Sequence, residues 1–309
     1  MQAYYDSSNR MEPGYLKLYQ EGKLRECADR LFERMKACDL CPHACGVDRT
    51  AGETGICNTG TEATIASWAP HFGEESPLVG RRGSGTIFFS NCNLECIYCQ
   101  NSDISQQGYG RNVSPEQLGQ VMVALQEEGC HNINFVSPTH VVHQIVEALS
   151  HAVKIGLHIP LVYNSGGYDS VETLRCIEGI IDIYMPDLKY ADPETGYRLS
   201  GVRDYPQRAF EAVREMHRQV GDLVTDDRGI AERGLIIRHL VLPNDLAATG
   251  RISDFVAELS TNTYYNLMDQ YHPDFQAYSH ADLHRRTSLV EFNQAKTYAK
   301  KLGLNRLAR

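Results

Sequence analysis

Three cysteines stand within eight residues, Cys92, Cys96 and Cys99, in the run CNLECIYCQN. Thiolates are the usual protein ligands of iron–sulfur clusters. Three of them can grip three corners of a cubane and leave the fourth iron without a protein ligand. Such an open coordination position separates a catalytic metal site from a closed structural one. Two other chemistries fit part of the run. Cys96-x2-Cys99 alone could be a dithiol redox pair, or the three thiolates could bind zinc with a remote fourth ligand. Neither accounts for three cysteines in one loop directly after the β-rich run GTIFFSNC (85–92).

A second group lies upstream: Cys38-x2-Cys41-Pro42-x2-Cys45, with Cys57 after Gly52 and Gly55. Four thiolates in a segment poor in core residues suggest a bound metal that organises it. Four ligands make a closed site, either structural zinc or an auxiliary cluster. The single Cys-x2-Cys knuckle, not the paired knuckles of a zinc ribbon, leans toward iron–sulfur, and a cap without metal is the third reading. Cys27, Cys130 and Cys176 sit on or beside amphipathic segments and read as buried small hydrophobes.

The elements that must position these groups follow from periodicity. Residues 13–36 read as one helix, with Leu24, Cys27, Leu31 and Met35 at helical spacing. Residues 37–84 are rich in Cys, Gly and Pro and read as an irregular cap. From residue 85 strands and helices alternate. The strands are GTIFFSNC, NINFVSP (132–138), PLVYN (160–164), DIYMPDLK (182–189), GLIIRHLVLP (234–243) and TYYNLMDQY (263–271). Helices are expected after Ser114-Pro115-Glu116-Gln117, near 141–155, after Asp169 and Glu172 as caps, near 204–219 and 250–260, and after Ser288-x-x-Glu291. Six short strands, apolar on both faces and separated by helices, call for an α/β fold with a parallel sheet. Six is fewer than the eight of a closed barrel. Cys92, Ser137, Asn164, Asp187, Lys189 and Arg238 gather at the carboxyl ends of the strands, the edge where parallel α/β folds bind ligands. The expected division is a helix and cysteine-rich cap over 1–84, a partial barrel over 85–275, and a tail with a final helix over 276–309.

Ten cysteines without a secretory pattern at the start, MQAYYDSSNRMEPGY, argue for a reducing cytoplasm and against a disulfide framework. A formal charge of −9 argues against a nucleic-acid partner. No apolar run reaches the roughly 18 residues of a membrane span.

The CxxxCxxC loop after the first strand, with Tyr98 before its last cysteine, resembles the radical SAM superfamily. The resemblance implies a partial (β/α)6 barrel. It also implies a [4Fe-4S] cluster whose open iron is chelated by S-adenosyl-L-methionine (AdoMet), and reductive cleavage of that cofactor to a 5′-deoxyadenosyl radical that abstracts hydrogen. Asp187-Leu188-Lys189, Leu199-Ser200-Gly201 and Ile237-Arg238-His239 before Leu242-Pro243 are similar to the pyruvate formate-lyase activating enzymes over about 85–271. With the amino-terminal cysteines included, the chain resembles the PflX-type branch of that group. The resemblance implies that Asp187, Lys189 and Arg238 surround AdoMet and that Asn164-Ser165-Gly166-Gly167 lies near its ribose. Where relatives carry Gly-Gly-Glu, this chain has Ser137-Pro138-Thr139-His140, whose hydroxyls or strand-end carbonyl could accept from the AdoMet ammonium.

The expected function is a radical SAM enzyme that activates a glycyl radical enzyme, or else modifies another peptide or small molecule, with a flavodoxin- or ferredoxin-type reductant. A two-cluster electron carrier and a zinc-stabilised interaction module are the readings from other classes. His71 with Glu74 and Glu75, His140 and His239 are held as candidates that could reach the site.

Overall fold

The computed structural model describes residues 11–308. The first ten residues, on which the reading of the chain's start largely rests, lie outside the described residues. The strands are β1 (Ala63–His71), β2 (Ser84–Phe89), β3 (Arg111–Val113), β4 (Ile133–Val136), β5 (Leu161–Asn164), β6 (Ile183–Tyr184), β7 (Val224–Thr225), β8 (Ala231–Leu240) and β9 (Tyr264–Met268). Among the described residues they form one nine-stranded mixed sheet. Its centre is the parallel run β2-β4-β5-β6-β8-β9, and these are the six strands expected from the sequence. Helices Pro115–Glu127, Val142–Lys154, Val171–Cys176, Tyr205–Val220 and Thr249–Leu259 make the crossovers, and Leu289–Lys301 follows β9. On its outer side β2 pairs with antiparallel β1, so the parallel strands form an open partial barrel.

Alternation along the strands gives the two faces different tasks. Ile87, Phe135, Tyr163, Tyr184 and Ile237 pack outward beneath the helices. Val162, Ile183, Met185 and Ile236 face the concave side and pack on Leu78 from the short helix Ser76–Val79, which seals the amino-terminal end. Two residues further along the same face stand Asn164, Asp187 and Arg238. The concavity is therefore apolar at one end and charged at the other.

Several elements differ from expectation. The amino-terminal helix is two helices, Gly14–Gln20 and Lys23–Met35, broken where Gly22 takes a left-handed φ of 75°. The cap is not irregular throughout, because it contains β1. The expected boundary at 84/85 cuts β2 itself, between Ser84 and Gly85, which both pair with β1. The helix after β5 is capped by Ser170, whose side chain accepts from Thr173 N. Asp169 instead is buried, accepting from Thr139, Tyr163 and Ser165. Helix Pro193–Ser200, opened by Asp192 as N-cap, was not expected. The capping boxes at Ser114/Gln117 and Ser288/Glu291 form as the sequence indicates.

At the amino-terminal edge the buried Asp182 accepts from Leu161 N at 2.9 Å and from Gly14 N at 3.1 Å, tying the first helix to the barrel. Burial pushes its carboxyl up to about 7, against the pull of those N–H groups and Arg233. An unfolded aspartate ionises near about 4. The native chain therefore keeps a proton that the unfolded chain loses. The stability this group contributes is full below about pH 4, falls as pH rises to about 7, and is level above. Asp182→Asn should remove that slope, seen as a urea midpoint that changes less between about pH 4.5 and 8 than in the wild type.

Candidate active site

The cysteine loop leaves β2 through Asn91, which takes a left-handed φ of 70°. The loop is clamped from the far side of the barrel. Glu95 N donates to Ser200 O at 3.3 Å and Ile97 N to Leu199 O at 3.0 Å. The Leu199-Ser200-Gly201 segment, at the end of helix Pro193–Ser200, is thus a backbone partner of the loop. Cys96 Sγ shares a hydrogen bond with Ser200 Oγ at 3.0 Å, and Cys99 Sγ with Ser105 Oγ at 3.1 Å. Tyr190 OH bridges Tyr98 OH at 2.5 Å and Ser200 Oγ at 2.8 Å, so the Tyr98 hydroxyl props the loop. Burial pushes the Cys92 thiol up to about 12 and raises that of Cys96, and Lys189 pulls both the other way. Among the described residues no three Cys, His, Asp or Glu side chains stand at ligating separations, the loop thiols resting on hydroxyls instead.

Beside the loop, the carboxyl ends of β5, β6 and β8 bring together four of the expected residues. Asp187 Oδ1 accepts from Arg238 Nε and Asp187 Oδ2 from Lys189 Nζ, both at 2.8 Å. Arg238 Nη2 donates to Asn164 Oδ1 at 2.8 Å, and Arg238 Nη1 to Glu74 Oε2 at 3.4 Å. Burial would raise the Asp187 carboxyl, but Arg238 and Lys189 outweigh it and hold the group below its usual range. Arg238 spends all three nitrogens on protein. Lys189 spends one hydrogen bond and keeps further ammonium donors.

The turn after β5 fixes this centre. Gly167 has a φ of 79°, and a Cβ there would lie 2.3 Å from Asp187 O, so only glycine lets the turn pass beneath Asp187. Tyr205 OH reaches Gly166 O at 2.9 Å and Asp187 O at 2.8 Å, and accepts from Lys189 N at 2.9 Å. Ser165 donates to Asp169 at 2.6 Å and accepts from Gly167 N, so its hydroxyl serves the turn. Ser137, half-buried with a left-handed φ of 58°, ends β4 and donates its N–H to Asn164 O at 2.9 Å.

Residues the sequence left undecided are now placed. Glu74 joins the ionic centre, and Glu75 accepts from Asn266 Nδ2 at 2.8 and 2.9 Å, so the 71–75 segment spans the gap between β1 and β9. His140 donates to Ser90 O. His239 bonds to Leu188 O and Thr249 Oγ1 on the outward face. Burial lowers both to about 4, which makes them neutral packing groups. Asn134 was missed. It is fully buried, pairs with Val162 on the concave face, and has no hydrogen-bond partner on either amide atom. An unsatisfied buried amide of that kind calls for a ligand or water. Nothing in the alternation of NINFV distinguishes it beyond being polar.

A family model described as the Radical SAM superfamily matches residues 86–227, from β2 through the cysteine loop to β7. An uncharacterized protein of Methanocaldococcus jannaschii, MJ0674, is 34% identical over 290 residues, covering 91% of this chain and 78% of its own length. A radical SAM methyltransferase from Sphaerobacter thermophilus has a TM-score of 0.47 at 13% identity over 91% of each chain. HydG, a maturase of the [FeFe]-hydrogenase, has 0.47 at 11% identity over 95% of this chain and 65% of its own. Likeness at that level carries no argument about activity. Among the described residues no helix is long and apolar enough to cross a membrane. With the family model lying on the strands and loop that build the site, and a relative matched over nearly the whole chain, this protein belongs to the radical SAM superfamily.

Proposed function

We propose that this chain reductively cleaves AdoMet at the carboxyl edge of the barrel, with Cys92, Cys96 and Cys99 as cluster ligands and Lys189, Asp187, Arg238, Asn164 and Ser137 around the cofactor. The observation that carries the reading is the meeting, at one strand edge, of a three-thiol loop and an ionic centre whose lysine keeps donors to spare. The superfamily implies a [4Fe-4S] cluster and AdoMet, and the residues fit both. Three soft thiols match the ligand preference of iron–sulfur clusters and leave one corner open. The unpartnered amide of Asn134 on the concave face calls for a polar partner there.

When bound, a [4Fe-4S] cluster held by Cys92, Cys96 and Cys99 would supply one-electron reduction to AdoMet, and AdoMet would supply the hydrogen-abstracting group. The protein's own groups bind, orient and exclude water. Lys189 offers its remaining donors to a carboxylate, because charge-assisted bonds of this type are the strong ones. Asp187 and Arg238 fix that ammonium's position. Lys189 also favours the thiolate at Cys92 and Cys96, the state a metal needs. Leu78 closes the amino-terminal end against water. Asp187-Leu188-Lys189, Leu199-Ser200-Gly201 and Ile237-Arg238-His239 support the narrower reading. In it, hydrogen is taken from a glycine of a partner glycyl radical enzyme, with a flavodoxin- or ferredoxin-type donor in the cytoplasm.

The test is anaerobic reconstitution with iron and sulfide, reduction with dithionite, and mass spectrometry after adding AdoMet. 5′-Deoxyadenosine and methionine should appear in equal amounts. A protein that carries its cluster and releases neither would overturn the reading.

A further inference from the structure

The four upstream cysteines take no part in that chemistry, yet the fold draws them together. Cys38 N donates to Val47 O at 2.9 Å, Gly46 N to Cys38 O at 3.0 Å and Ala44 N to Cys41 O at 3.0 Å, closing residues 38–47 into a knuckle. The arm that carries Cys57 comes in against it. A Cβ at Gly55 would stand 2.4 Å from Cys45 Sγ, so the two arms lie close together there. Cys38, Cys41 and Cys57 are buried, and Cys45 is exposed with its Sγ 3.9 Å from Cys38 O.

Arg49 is the second, independent observation. Its side chain is among the largest fully buried ones, at 1% exposure. The guanidinium donates to Gly60 O from Nε at 3.1 Å and from Nη2 at 2.6 Å, and to His140 O from Nη1 at 3.0 Å. Nη1 also lies 4.0 Å from Cys38 Sγ. Among the described residues no carboxylate pairs with it. The adjacent Asp48 is turned to Thr50 and Ala51. The neighbouring His140 and His143 are lowered to about 4 by burial first and by Arg49 in addition, so they are neutral. A buried cation without an anion is costly, and proteins pair such charges or set them beside a metal site. Among the described residues, the group beside Arg49 that could become anionic is the Cys38 thiol, within 4.0 Å of Nη1.

We propose that Cys38, Cys41, Cys45 and Cys57 bind a metal as a tetrathiolate site of net charge −2, with Arg49 as its buried counter-ion. Four thiols release four protons on taking up one Zn2+ or one [4Fe-4S]2+ core, and either product carries the same dianionic charge. The thiols do not stand at ligating separations beforehand, so binding draws the exposed Cys45 inward toward the other three. The closed knuckle presses on the active-site loop. His43 Nε2 donates to Asn93 O at 2.8 Å, next to Cys92, and Arg49 holds His140, whose Nε2 donates to Ser90 O at 2.9 Å. The cap metal thus braces the carbonyls on either side of the first loop cysteine. This inference stands apart from AdoMet cleavage.

The test uses the full chain carrying Cys92→Ala, Cys96→Ala and Cys99→Ala, purified without oxygen, so that bound metal reports the cap alone and failure here says nothing of AdoMet. About one zinc, or about four iron with matching sulfide, should remain per chain, and adding Cys38→Ser with Cys57→Ser should remove it. Absence of both metals from a natively folded protein incubated with each would overturn the site. Arg49→Met should release metal to a chelator about 10- to 100-fold faster, with Arg49→Lys in between. Release at the wild-type rate from both variants would overturn the counter-ion role. Should Arg49→Met not fold, Arg49→Lys alone decides the point.

Discussion

Cys96→Ala should form no 5′-deoxyadenosine above background while unfolding within a few degrees of the wild type. The two halves of that expectation rest on different contacts. Structurally, Cys96 Sγ shares one hydrogen bond with Ser200 Oγ, which retains Tyr190 OH at 2.8 Å when the sulfur is gone. The backbone clamp from Glu95 and Ile97 to Ser200 and Leu199 is untouched by the substitution. Losing one sulfur with one weak bond costs about 1 kcal/mol. Chemically, two thiolates cannot hold three corners of a cubane, so cluster and turnover disappear together. Iron content and product measured on one anaerobic preparation check both halves. Cys130→Ala is the control, because Cys130 lies in the core beneath helix Pro115–Glu127 and should keep iron and product. Product from Cys96→Ala at the wild-type level would move the cluster elsewhere in the molecule.

The six parallel strands were legible because buried strands between helices leave uninterrupted apolar runs, and their order in space follows their order in the chain. The cysteine loop was legible from spacing alone, and Asn164, Asp187, Lys189 and Arg238 from their places at strand ends. What was lost had physical reasons. β1 mixes Thr, Ser, Ala and Pro in ATIASWAPH, because one of its edges pairs β3 over only 63–65 and its faces are half-exposed, so no clean alternation survives. Asp169 carries the composition of a cap, yet the hydroxyls of Thr139, Tyr163 and Ser165 converge on it, a tertiary fact absent from its local sequence. Glu74 lies more than 160 positions from Arg238 in sequence, and their pairing depends on how the 71–75 segment crosses the barrel mouth. The partner of Tyr98 was likewise out of reach of its local sequence. Its hydroxyl is bound to Tyr190, because the loop turns that ring inward against Tyr190 and Tyr271.

The ionic centre makes the opposite demand on the fold from the loop thiol. Asp187→Asn should cost about 3 kcal/mol of folding free energy, since removing one partner of a buried ion pair strands the others. Here it strands two cations at once. Lys189 and Arg238, with side chains 18% and 17% exposed, would face a neutral amide where each now meets a carboxylate oxygen at 2.8 Å. One amide atom would also present donors to a cation. Glu74 retains Arg238 at 3.4 Å, which keeps the loss at the lower end for such sites. Lys189→Met removes only the outer cation and leaves the Asp187–Arg238 pair, so by itself it should cost about 1 kcal/mol or less while weakening AdoMet binding. Combined with Asp187→Asn, it should return part of the lost stability, because it removes the stranded charge. Urea midpoints of the two single variants and the double variant decide the matter. A double variant at least as stable as Asp187→Asn alone is expected, and one whose losses simply add would show that the carboxylate was not what held these cations in place.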